Sequence, residues 1–294
     1  MFRIYVSFKR LKMRIRTFFH FQELPSTNTY AVEWMRKELA SGETNVNDFY
    51  QKNLPAVFIA DRQTVGRGRN GRRWESPSGC LMFSLVFSRE TLELPPEKSG
   101  LPALAAGLAV RDTVLGVFPC LGEIDVESPL GRVGIHWPND VYLVPTEFSP
   151  ENFCTFKKLS GILTERHPDD IFVLGIGLNV HNSFRDAPEE IRRHVFSLVD
   201  ISRLISESEF QRVQNIPLGA VLDVLLVNLE RRFSQLAENP ARTVADVETC
   251  CVQHGVHTTL RTPQGEITGL CTGLNPDGAI FIDGKAYYSG EIGS

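Results

Sequence analysis

Apolar residues recur along the 294-residue chain at two different spacings. Ala31, Trp34, Met35 and Leu39 fall at helical spacing after Ser26, Thr27 and Asn28 and before Gly42, which predicts a helix capped by Ser26 or Thr27. Short apolar runs at 56–60 and 81–87 read as strands, separated by a loop of alternating glycine and arginine at 66–71. The Ala/Leu-rich run 101–118 has few charges and predicts a helix buried on most sides, lying on one face of a sheet. Strands follow at 133–137, 141–144, 159–164 and 171–180, with the hydrophilic stretch 145–156 as a connecting loop. Residues 218–236 form an amphipathic pattern with Leu222, Leu225, Leu226 and Leu229 on one side. From about Gly255 the texture changes to short alternating runs (257–261, 266–273, 279–282) broken by PQG, NPDG and DGK turns, as in a small all-β domain. The expected organisation is an N-terminal extension (1–20), a large domain with a mixed sheet backed by helices (21–250) and a C-terminal β domain (251–294).

Composition narrows the function. A formal charge of -4 does not suit a protein whose main task is gripping nucleic acid, so any anion chemistry must be local. The six cysteines lack the paired short spacings of a zinc site, and His254 and His257 have no third ligand nearby. Reduced thiols in a cytoplasmic compartment are the expectation, and no run reaches the ~20 apolar residues that span a bilayer. The first 22 residues carry six Lys or Arg and no acid, which leaves an organelle-targeting leader open, although their apolar residues also suit a β-strand and Met13 could be the start.

Chemistry concentrates in four segments. DRQTVGRGRNGRRW (61–74) sets five arginines against one acid, with Gly66, Gly68 and Gly71 among them. Glycines let backbone amides approach an anion and arginine forks match carboxylate or phosphate oxygens, so an anion-cradling loop is favoured over a solvated turn or an RNA-contacting tract. Its GRGRNG fits GxGxxG literally but precedes no predicted helix, and no GxxxxGK[ST] loop exists. HWPND (136–140) ends a strand at Pro138 and puts Asn139 and Asp140 at the sheet margin. Lys158, in KKLSGIL, begins a strand beside a glycine, from which an ammonium can reach a cleft. GIGLN (175–179) reads either as a glycine-softened strand end or as a place where another backbone packs close.

Taken in order, STN (26–28), QTVGRGRNGRRW (63–74), WPND (137–140), KLSGIL (158–163), GIGLN (175–179) and the terminal GEI (290–292) resemble biotin-protein ligases over about residues 20–294. The resemblance implies an α+β fold: a mixed β-sheet backed by helices, like that of class II aminoacyl-tRNA synthetases, followed by a small SH3-like β-barrel. It implies that Ser26, Thr27, Asn28 and Gln63 line the biotin pocket, that Arg67, Gly68 and Arg69 close over biotin and its activated phosphate, and that Lys158 meets the biotin carboxylate and α-phosphate. Arg69 and Lys158 are then the catalytic cations, and Arg72, Trp74, Asn139, Asp140 and Asn179 serve ATP, with Mg2+ near Asp140. The implied partner is a carboxylase biotin carrier domain, with a homodimer left open and neither nucleic acid nor membrane expected. Two departures stand out: His136 occupies the place of the family's usual lysine, and the loop at 145–157 is long. Rival readings are a lipoate or octanoate ligase or transferase of the same superfamily, or a non-catalytic biotin-binding sensor.

Overall fold

The computed structural model describes residues 14–40, 45–90, 100–121, 130–145 and 156–292. Most of the 145–157 loop and the basic segment 1–13 therefore lie outside the described residues. Within them, strands β1 (Thr17–Leu24), β2 (Ala56–Gln63), β3 (Cys80–Ser88), β4 (Arg132–His136), β5 (Asp140–Val144), β6 (Lys157–His167) and β7 (Ile171–Asn179) form one sheet in the order β1-β2-β3-β7-β6-β5-β4. All neighbours are antiparallel except β1 and β2, whose parallel pairing needs a crossover. Helices α1 (Thr27–Ala40) and α2 (Val46–Asn53) supply it. The sheet starts at Thr17, inside the segment expected to be an extension, because Thr17 and Phe19 are buried against β2.

Every residue of β3 is buried, and β7 is buried at all but Gly175. Continuous apolar strands of this kind need cover on both faces. On one face α1 packs Ala31, Val32 and Met35 against Phe19, Phe58, Val86 and Val173. On the other, α3 (Leu101–Val117) lies across β4, β5 and β6. Eleven of its residues are buried, as the charge-poor run predicts. Short helices α4 (Glu189–Arg192), α5 (Leu198–Ile205) and α6 (Glu207–Gln214) lead to α7 (Leu218–Glu238), which lays Leu222, Leu225, Leu226 and Leu229 on the core beside α3, and then to α8 (Pro240–Cys250).

The C-terminal strands β8 (His257–Thr262), β9 (Gly265–Leu274), β10 (Ile280–Ile282), β11 (Lys285–Tyr287) and β12 (Glu291–Ile292) make a second antiparallel sheet, ordered β11-β10-β9-β8-β12. Its buried residues Leu260, Cys271, Ile280 and Ile282 are continuous with the core under α3 and α7. Trp137 is the main peg: its indole N–H donates to Gly278 O at 2.9 Å and its backbone N–H to Gln253 Oε1 at 3.0 Å. Among the described residues, no single helix is long and apolar enough to cross a membrane.

Candidate active site

A cavity of about 400 Å3 opens on the sheet and is lined by Ser26, Thr27, Asn28, Gln63, Arg67, Gly68, Arg69, Arg72, Trp74, Asn139, Asp140 and Lys158. All but one of the residues expected from sequence therefore meet in one place. The exception is Asn179, which lies fully buried behind the cavity wall. Its amide donates to Lys158 O and its Oδ1 accepts from Asn182, so it braces the strand that carries the lysine and does not line the ligand space.

The first wall is the start of α1. Ser26 caps the helix, with its Oγ facing the Thr29 N–H at 3.5 Å, and Thr27 follows as the first helical residue. Gln63, at the end of β2, accepts from the Thr27 N–H at 2.7 Å, which fixes its oxygen toward the helix and turns its NH2 inward. That NH2 reaches Met82 Sδ, a weak acceptor, at 3.4 Å, and so suits a ligand carbonyl better than its present partner. Ser84, unremarked in the sequence because it sits in an apolar strand, hydrogen-bonds Thr27 Oγ1 at 2.8 Å and Asn28 Oδ1 at 2.6 Å.

The second wall holds the charges. The loop between β2 and β3 folds back on itself through Gly68 N–H to Arg72 O and Trp74 N–H to Gly66 O, which presents its arginines along the cavity. Arg69 donates to Asn139 Oδ1 at 3.0 Å. Burial pushes the Arg69 pKa down, with Asp140 pulling it back, so its cation is poorly solvated. Lys158 Nζ donates to Asp140 Oδ2 at 2.6 Å and stands 5.7 Å from the Trp74 ring. Asn139 and Asp140 reach this place because WPN turns the β4–β5 hairpin, and Asn139 is pinned by its amide to Ile162 O at 2.8 Å.

The glycines of GIGLN leave room for side chains, not backbone. A Cβ on Gly175 would sit 2.2 Å from Asn28 Oδ1, and one on Gly177 would sit 2.5 Å from the Trp74 ring. Gly161, the register partner of Gly177 on β6, leaves the remaining space under the indole. Residues i and i+2 on one strand face are ~7 Å apart. The strand thus sets the polar wall at Asn28 beside the aromatic platform at Trp74.

His136 lines the cavity with its ring 5.0 Å from that of Tyr142. Burial pushes its pKa down to about 4, against the pull of Asp140, so the ring stays neutral at ordinary pH. Cys80, beneath Trp74, is likewise raised to about 12 by burial and is inert as a nucleophile. The C-terminal sheet adds Arg261, Gly290, Glu291 and Ile292 to the lining, with Glu291 paired to Arg72. The terminal GEI had marked this sheet without indicating that it reaches the cavity. Among the described residues no three His, Cys, Asp or Glu side chains cluster as metal ligands.

A polar cleft wall, two cations and an aromatic platform side by side can hold two anions in contact, one of them carrying a planar ring. The model of the biotin/lipoate A/B protein ligase family matches residues 24–181, which contain all of these groups except the C-terminal lining. The chain is similar to the biotin--[acetyl-CoA-carboxylase] ligase of Mycobacterium tuberculosis, at 29% identity over 77% of this chain and 73% of that protein. Similarity to the bifunctional ligase/repressor BirA of Bacillus subtilis is 24%, over 86% and 71%. Among solved structures, the biotin protein ligase from Aquifex aeolicus in complex with biotin and ATP superposes with a TM-score of 0.65 at 27% identity, covering 94% of this chain and 97% of that one. The matched segment spans more than half of the chain and holds the cavity's polar wall, cations and aromatic platform, and the chain belongs to the biotin/lipoate A/B protein ligase family.

Proposed function

We propose that the protein activates biotin with ATP to biotinyl-5'-AMP and transfers the biotinyl group to a lysine of a carboxylase carrier domain. The observation that carries this reading is the pairing on β7: Gly175 seats the polar wall and Gly177 the aromatic platform, with Arg69 and Lys158 on the same cavity. In the first step a biotin carboxylate oxygen attacks the α-phosphorus and pyrophosphate leaves. Two anions must be held together for this, and negative charge grows on the phosphoryl oxygens. Lys158 and Arg69 supply fixed positive charge there, Gln63 and the start of α1 orient the ureido head, and Trp74 offers a face to the adenine. In the second step the amine of the carrier lysine attacks the acyl carbon, the anhydride C–O bond breaks and AMP leaves with its electron pair. The arginine loop excludes water from the mixed anhydride between the two steps.

Mg2+ fits this site as a companion of the nucleotide rather than a resident of a protein cage, since Asp140 is a single carboxylate on the lining and already meets Lys158. When bound, it would neutralise phosphate charge. We also propose a reducing, cytoplasm-type compartment, supported by the unpaired buried thiols Cys80, Cys250, Cys251 and Cys271.

Exchange of labelled pyrophosphate into ATP tests the reading. It should depend on added biotin and be followed by biotin transfer to a carrier domain. Exchange with lipoate or octanoate but none with biotin would overturn it in favour of the sister activity, and tight biotin binding without transfer would point to a sensor.

A further inference from the structure

The two arginines of the GRGR motif are in different electrostatic situations. Arg69 faces Asn139, a neutral amide, and lies beside the cavity with its charge poorly solvated. Arg67 is already paired. Its NH2 donates to Glu165 Oε1 at 2.7 Å and its NH1 faces Glu165 Oε2 and Thr29 Oγ1, each at 3.4 Å. The other side of the same carboxylate accepts from Asn28 Nδ2 at 2.9 Å. Glu165 stands on β6 with a side chain 23% exposed, and it does not line the cavity. One carboxylate thus joins three separate parts of the chain: the arginine loop, the first turn of α1 and strand β6.

We infer that Glu165 is the positioning residue that latches the arginine loop. It holds Arg67 against the first turn of α1, so that Arg67 fastens the loop and Arg69 is the arginine presented to the ligand's anions. This assignment rests on the proposed function for its chemical consequence and on the geometry alone for its mechanical one. A loop anchored at Arg67 can open at Arg69 and beyond without losing its register on Asn28. The carboxylate is needed as a charge: a neutral amide keeps an acceptor for Asn28 but gives up the charge-assisted fork to Arg67.

The test compares wild type, Glu165→Gln, Arg67→Ala and the double variant in the full chain. Trypsin cleavage after Arg69 and Arg72 is followed by mass spectrometry, melting temperature is the folding control, and release of biotinyl-5'-AMP is measured alongside. Glu165→Gln should speed loop cleavage and adenylate release about fivefold, the size expected for losing a charge-assisted contact between partly exposed groups. It should raise KM for biotin while leaving KM for ATP and the melting temperature in place. Arg67→Ala should do the same, and the double variant should be no more open than either single one. Cleavage at the wild-type rate in Glu165→Gln, or effects that add in the double variant, would overturn the latch. Should Glu165→Gln melt early, Arg67→Ala alone decides: a loop as protected as in wild type overturns the inference, and an opened one supports it. Absence of biotin-dependent exchange in wild type would sink the proposed function instead, and the proteolysis comparison still decides the latch.

Discussion

His136 stands where the family usually has a lysine, and the fold holds its ring neutral. Half-buried beside Tyr142, it is held neutral, with a pKa of about 4 against an ordinary value of 6.5. Because the folded protein binds the proton less well than the unfolded chain, the stabilisation is complete above about pH 6.5 and is lost as pH falls toward about 4. The difference amounts to up to about 3 kcal/mol. Denaturant titrations should therefore show His136→Gln with a shallower loss of stability than wild type across that window, and exchange activity should carry no His136 ionisation near neutrality. Identical slopes for the two proteins would contradict this. For the cations the expectation is sharper: Lys158→Met should cut exchange by about a hundredfold or more, the scale of one lost transition-state contact. Arg69→Gly should release biotinyl-5'-AMP, read as indiscriminate labelling of bystander lysines. Most of these residues were legible because arginine, glycine and lysine at such spacings have few other uses. Ser84 and Glu165 were not, since their meaning comes from residues brought to them by the fold, across 56 and 137 positions of sequence to Asn28.

At the scale of elements, β7 carries the division of labour. Gly177→Ala would press a methyl against the Trp74 ring and should raise KM for ATP about tenfold with little effect on biotin binding, together with a change in tryptophan fluorescence. Gly175→Ala would instead strike Asn28 and should raise KM for biotin. Equal effects of the two substitutions on both substrates would show that the wall and the platform are not separable. The long strands and α1, α3 and α7 were visible in the hydrophobic pattern because their apolar faces are broad. Helices α2, α4 and α6 were not: α2 and α6 bury only Phe49 and Val213 respectively, and α4 buries none of its side chains, so no period emerges above their polar surroundings. Strand β1 begins at Thr17, inside the expected extension, directly after basic residues that disguise where burial starts.

For the whole molecule, the C-terminal sheet was recognisable as a separate texture, yet its core is shared. Gly278 abuts Leu101 and Leu104 of α3, and Glu248 of α8 accepts from the Leu274 N–H. Thermal unfolding should accordingly give one cooperative transition. Removing residues 257–294 should yield an insoluble or early-melting protein instead of a free-standing catalytic domain, which light scattering and calorimetry would reveal. Two well-separated transitions would argue for independent domains.

The β4–β5 hairpin places Asn139 and Asp140 on the ligand side and Trp137 in the seam beneath the C-terminal sheet. A four-residue word is therefore read from both ends at once, by substrate and by scaffold. For anyone transplanting nucleotide preferences between relatives, this hairpin is a poor graft site: a replacement chosen for chemistry also has to satisfy a joint it never touches during turnover.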